Sequence, residues 1–180
     1  MKTGLTDPTQ SLRTARMRLD PLEVEDAGAL AAAMADPSLF VVIGGEPPSV
    51  GEAAARIERY RAGPPRTGDA WHNWAIRLAA TEPDPDRLIG HLQATVREHG
   101  ESVEIAWLIG TPWQGRGYAS EVAAGLVEWL RANAAGAVIA HIAPGHVASE
   151  RVADRAGLAP TGVVEDSEVV WRLSATEPEA

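Results

Sequence analysis

A chain of 180 residues, 45% of them hydrophobic, is long enough to bury one sizeable core, and a single domain is its default organisation. Its 16 basic and 25 acidic residues give a net charge of -9, which argues against broad nucleic-acid or anionic-membrane binding and suits a cationic acceptor such as an amine. The absence of cysteine excludes disulfides, a catalytic thiol and an acyl-cysteine intermediate. The polar first 11 residues lack the apolar core of a leader peptide. No apolar run approaches the roughly 18 residues of a membrane span, so a cytoplasmic protein without a membrane partner is expected.

Residues 1–11 and 175–180 are rich in Thr, Pro, Asp and Glu and read as flexible tails around one domain over 12–174. Ala15, Met17 and Leu19 alternate with Arg16 and Arg18, the pattern of a first strand. Ala27, Leu30, Ala31 and Met34 recur at helical spacing, and Asp36-Pro37 stops that helix. Ser49-Val50-Gly51-Glu52 has the form of a capping box and opens a second helix to about Ala62, with Ala53, Ile57 and Tyr60 inward. Between them, Phe40-Val41-Val42-Ile43 is an apolar run in a loop: either a lid tucked onto the core or a wall of a pocket. Strands are expected over about 70–79, 88–98 and 102–109, joined by short turns into an antiparallel meander. A helix from Gly117 to about Asn133, a strand over 138–142, a helix over about 148–156 stopped by Gly157, and strands near 162–164 and 169–173 complete the chain. The fold class is mixed α/β: a central mixed sheet, antiparallel at first, with one strand-helix-strand crossover and helices on both faces.

The chain is organised around Glu104 to Ala119. Glu104-Ile-Ala-Trp-Leu-Ile109 has the content of a buried strand, and Pro112 cannot continue its ladder. Gln114-Gly115-Arg116-Gly117-Tyr118-Ala119 then turns into a helix. The first turn of a helix leaves N–H groups without partners and carries the positive end of the dipole. Gly115 and Gly117 let a ligand approach the backbone, and Arg116 adds a fixed charge. Together these predict an anion site suited to a phosphate or pyrophosphate. The Walker pattern is absent, and the Rossmann pattern fails at Ser120 and lacks its ribose-binding acid.

Gln114-x-x-Gly117-x-Ala119 resembles the Gln/Arg-x-x-Gly-x-Gly/Ala signature of the GNAT superfamily of N-acetyltransferases. Arg13-Thr-Ala-Arg-Met-Arg-Leu19 with Glu25-Asp-Ala27, and His146-Val-Ala-Ser149 with Gly157-Leu158, resemble segments of its Rim-type subgroup, named for ribosomal-protein acetyltransferases. The likeness spans Leu12 to Leu173, with His146 standing where that subgroup has Asn. The resemblance implies an acetyl-CoA-dependent N-acetyltransferase that moves the acetyl group directly to a primary amine, on a small molecule or a protein N-terminus, and is compatible with a homodimer. It implies acetyl-CoA as cosubstrate, no metal, and a coenzyme site made by Leu108, Ile109, Gln114, Gly115, Arg116, Gly117, Tyr118, Ala119, His146 and Ser149. A pocket wall from residues 37–48 is implied too.

Aminolysis of a thioester needs a base for the ammonium proton and a donor for the oxyanion. Glu104 is the first candidate for base, with His72, His91 and His141 as alternates. Ser149 stands where the Rim-type serine meets the coenzyme sulfur, and could relay a proton or cap its helix. A coenzyme-binding module without turnover and a Rossmann-type domain are the competing readings.

Overall fold

The computed structural model describes residues 5, 7, 9–133 and 135–173. Thirteen elements follow one another: β1 (Leu12–Arg13), β2 (Met17–Pro21), α1 (Ala27–Ala33), α2 (Phe40–Ile43), α3 (Val50–Ala62), β3 (Ala70–Leu78), β4 (Leu88–Arg97), β5 (Ser102–Ile109), α4 (Tyr118–Ala132), β6 (Ala137–Ile142), α5 (Val147–Arg155), β7 (Leu158–Glu165) and β8 (Glu168–Leu173). The strands form one eight-stranded sheet in the order β1-β2-β3-β4-β5-β6-β8-β7. Strands β1 to β5 pair antiparallel with their neighbours, as the short turns predict. The single parallel pair among the described strands, β5 and β6, is bridged by α4. A Rossmann unit needs a predominantly parallel sheet, so that competing reading is not met.

Strand alternation divides the core between the two faces of the sheet. One face carries Trp74, Ile76, Leu92, Val103, Ile105 and Val138, packed under Val122, Leu126 and Leu130 of α4. The other carries Ala75 and Leu88, packed under Leu30 of α1 and Ile57 of α3. Helices therefore cover both faces, but α1 and α3 shelter only the β3–β4 side of the second.

The predicted first strand starts only at Met17, as β2: Thr14 N–H donates to the Met17 carbonyl, and the chain turns there after the short β1. The expected N-terminal tail is not loose throughout. Leu5 is fully buried, its carbonyl receives His72 Nε2 at 2.9 Å, and the Gln10 carbonyl accepts from Trp74 Nε1 at 2.7 Å. The tail expected over 175–180 lies outside the described residues.

The capping box of α3 forms as expected. Glu52 N–H donates to Ser49 Oγ at 3.3 Å, and Ser49 N–H donates to Glu52 Oε2 at 2.8 Å. Ser49→Ala removes an acceptor for the first turn of α3 and is expected to cost about 1 kcal/mol. A thermal melt should therefore fall by about 2–4 °C.

Candidate active site

The site begins where two strands part. Strands β5 and β6 pair only at Ser102–Ala137, Val103–Val138 and Glu104–Ile139. Beyond that rung β6 turns to β8, pairing Ile139 through Ile142 with Arg172 through Val169, while β5 continues beside β4 to Ile109. The gap opens a cleft of about 680 Å³, bounded by β5, the loop after it, the end of β6 and the first turns of α5.

Gly110 N–H donates to the Ile89 carbonyl at 2.8 Å, which fixes the phase of the β4–β5 ladder. Hydrogen-bonded pairs alternate along an antiparallel ladder, so Leu108 spends its backbone groups on β4, opposite His91. The backbone groups of Ile105, Trp107 and Ile109 face the open seam instead. This corrects the expectation for Leu108, and it adds Trp107, which strand parity could have supplied. The Ile109 carbonyl is taken by Gln114 Nε2 at 2.9 Å, leaving its N–H for a ligand.

That Gln114 bond ties the glycine loop to the end of β5. Gly115 and Gly117 both hold positive φ, 75° and 81°. Gly117 is the left-handed N-cap of α4, so Tyr118, Ala119 and Ser120 present their N–H groups at a helix start. The loop is braced from behind. The Arg16 side chain donates from Nε to Glu121 Oε2 at 2.7 Å and from Nη1 to the Arg116 carbonyl at 3.1 Å. Its guanidinium also lies 4.6 Å from the centre of the Tyr118 ring. Arg16 thus offsets Glu121, a negative charge in the first turn of α4. Arg116 itself is exposed and lines no part of the cleft; the positive groups that do border it are the helix start and Arg151 and Arg155 of α5. The Tyr118 side chain is buried and its hydroxyl donates to Glu82, away from the cleft; only its backbone faces a ligand.

Glu104 stands at the rung where the seam opens. It lies on the face opposite α4, because strand parity sets it with Ala106 and Leu108 rather than with Val103 and Ile105. His141 of β6 shares that face. Its Nδ1 lies 3.0 Å from Glu104 Oε1, and its Nε2 lies 3.3 Å from Glu165 Oε2. Burial opposes the charged imidazole, but the hydrogen bonds to Glu165 and Glu104 and their negative charges outweigh it, raising the His141 pKa above 6.5. The stability these ion pairs add is complete below that ordinary value and fades as pH rises through the higher folded-state value.

A family model for the acetyltransferase (GNAT) domain matches residues 16–159. The chain belongs to the GNAT acetyltransferase family. Solved structures agree on the fold. An acetyltransferase of the GNAT family from Bacillus anthracis aligns with a TM-score of 0.74 at 17% identity, over 91% of this chain and 98% of that one. An acetyltransferase from Agrobacterium tumefaciens gives 0.70 at 26% identity, over 92% and 95%. The microcin C7 self-immunity acetyltransferase, in complex with acetyl-CoA and AMP, gives 0.72 at 12% identity, over 88% and 92%. No curated protein matches the chain in sequence.

Within this GNAT domain the remaining predicted residues divide clearly. His146 is the N-cap of α5 but makes no side-chain cap bond, and it lines the cleft. Ser149 sits in the first turn of α5, also on the cleft wall, so it is not the cap. Ser38 and Leu39, in a 3-10 turn, and Val42 and Ile43, in the one-turn α2 that follows it, wall the cleft on one side where a bare loop was expected; Phe40 beneath them is buried. His72 is fully buried, stacked on Trp74, and burial lowers its pKa. His91 stacks on Tyr60 and meets Asn73 Oδ1 at 3.2 Å; burial, then the Arg56 charge, push it to about 4. Neither lines the cleft, which leaves His141 as the one alternate base that does. Glu165 and Glu168, which reading the sequence missed, come from the β7–β8 hairpin, whose position no local pattern announces.

Proposed function

We propose that this GNAT domain transfers the acetyl group of acetyl-CoA directly to a primary amine, on a small molecule or a peptide N-terminus, in a ternary complex. The observation that carries the reading is the position of Glu104. It shares one cleft with the glycine loop, yet projects from the sheet face opposite α4. Coenzyme and acceptor can therefore meet at the seam from two sides.

The residues fit the coenzyme. Backbone N–H groups at the start of α4 suit its pyrophosphate, and Gly115 and Gly117 clear the approach. The open backbone groups of Trp107 and Ile109 suit the amides of the pantetheine arm. Glu104 accepts a proton from the ammonium, and the freed amine attacks the thioester carbonyl. A seam-facing N–H of β5 stabilises the oxyanion. The tetrahedral adduct collapses, the C–S bond breaks, and the second proton of the attacking nitrogen passes to the leaving thiolate through Ser149 or water.

The test is release of free thiol from acetyl-CoA against a panel of N-terminal peptides, polyamines, aminoglycosides and amino-acid amines. Amine-dependent thiol release with a matching acetylated product is expected. Coenzyme binding with no transfer to any member would favour a binding module instead.

A further inference from the structure

Glu104 does not stand alone, and its partner has no part in the scheme above. His141 is clamped end to end, with Glu104 on β5 at one ring nitrogen and Glu165 on β7 at the other. Glu104 and His141 line the cleft, while Glu165 does not and is 61% exposed, so the three run from the cleft to the surface. An imidazole with a carboxylate at both nitrogens is built to hold two protons. Other charged or titratable side chains bordering it from the packed elements are Glu168 and Arg172 of β8 and His146, Arg151 and Arg155 of α5.

Resting on the acetyl-transfer reading, we propose that His141 is the proton store of the reaction: the proton that Glu104 takes from the acceptor ammonium comes to rest on His141 Nδ1. At the start His141 is neutral, with its proton on Nε2 facing Glu165 and a lone pair on Nδ1 facing Glu104. The N–H bond of the ammonium breaks as Glu104 accepts the proton on one oxygen. Glu104 passes a proton from Oε1 to Nδ1 and is a carboxylate again. The imidazolium that results is bridged by Glu104 and Glu165. With coenzyme and acceptor filling the cleft, Glu104 has little access to solvent, and a bound store removes the need for it. After product leaves, the open cleft lets Nδ1 return the proton to water by way of Glu104. The scheme gives Glu165 a definite role as a positioning residue. It holds the ring in register and sets how tightly the store keeps its proton.

A neutral His141 is required at the start of each turnover, so activity falls as pH drops through its pKa. Glu165→Gln keeps a hydrogen-bond acceptor beside Nε2 and removes the charge. The acid limb of kcat should therefore move to lower pH, and the variant should outperform the wild type at the acid end while KM for acetyl-CoA stays the same. His141→Gln should lower kcat by roughly 10²-fold and abolish that limb. Independently of turnover, a ¹⁵N imidazole titration, assigned by the signal missing in His141→Gln, should place His141 above 6.5 and show it falling in Glu165→Gln. The acceptor for the kinetics is the amine turned over fastest in the panel. An acid limb that stays put in Glu165→Gln, or a His141 signal that titrates at or below 6.5, overturns the proposal. Failure of the whole amine panel would instead count against acetyl transfer, and the titration still decides whether the clamp holds a proton.

Discussion

Glu104→Gln should lower kcat by roughly 10²–10⁴-fold, about 3–5 kcal/mol of barrier, while leaving the affinity for acetyl-CoA unchanged. The two halves of that result have separate structural causes. The amide keeps the size of the carboxylate and can still hydrogen-bond His141 Nδ1, but it cannot take a proton from an ammonium. In the proposed arrangement the coenzyme is held elsewhere, by the start of α4 and the open side of β5. Stability should change little, because Glu104 is 40% exposed and an ion pair that open is worth at most about 1 kcal/mol. Steady-state kinetics at saturating acetyl-CoA, with calorimetric titration of the coenzyme, separates the two halves. Unchanged turnover would remove Glu104 from the role of base, and a matching loss of coenzyme affinity would mean that the seam itself has moved.

Gly117→Val should abolish coenzyme binding in a chain that still folds. Gly117 holds φ 81° and ψ 5° at the start of α4, a conformation that costs a side-chain-bearing residue about 1–2 kcal/mol. A Cβ there would meet its nearest protein atom, Arg16 Nη2, at 3.6 Å, an ordinary contact. The protein has room for that Cβ, so in the proposed arrangement the group the side chain crowds is the coenzyme. Acetyl-CoA at 100 times its dissociation constant should add about 2.7 kcal/mol to wild-type stability, which is about 5–10 °C for a domain of this size. The variant should melt somewhat lower and show no such gain. Circular dichroism confirms that it is folded, and Gly117→Ala, which keeps the backbone penalty with a smaller group, should retain part of the shift. A full shift in folded Gly117→Val would mean that the loop is not the coenzyme site.

Much of this architecture was legible because its signals are local. The capping box at Ser49, the apolar stripe of α4 and the strand at 102–109 each lie within one element, and the structure keeps their boundaries to within a residue or so. The glycine loop was readable for the same reason: a strand, a turn and a helix start are consecutive in the chain. What escaped depends on pairings between distant segments. The role of Leu108 turned on the phase of the β4–β5 ladder, which a single bond at Gly110 decides. Glu165 could not be placed without knowing that the last hairpin folds beside β6. Arg116 stands within the glycine loop yet lines no part of the cleft, whereas the cation that braces the loop, Arg16, is 100 residues away from it. Leu5 was hidden by its polar neighbours, which mask one apolar anchor in a stretch of tail-like composition.

The strand order β6-β8-β7 has a consequence for synthesis. β8, the last of the described strands to leave the ribosome, is an interior one, and β7 waits without a partner until β8 is threaded beside β6. The local meander can form early, but the half of the sheet that carries His141 and positions Glu165 is completed last. A chain cut short before Glu168 would therefore lose a central rung rather than an edge. It would leave Val163 and Val164 on an unpaired strand, the kind of exposed template on which aggregation starts. Truncated products of this protein should thus be cleared or aggregate rather than persist as partly active enzyme.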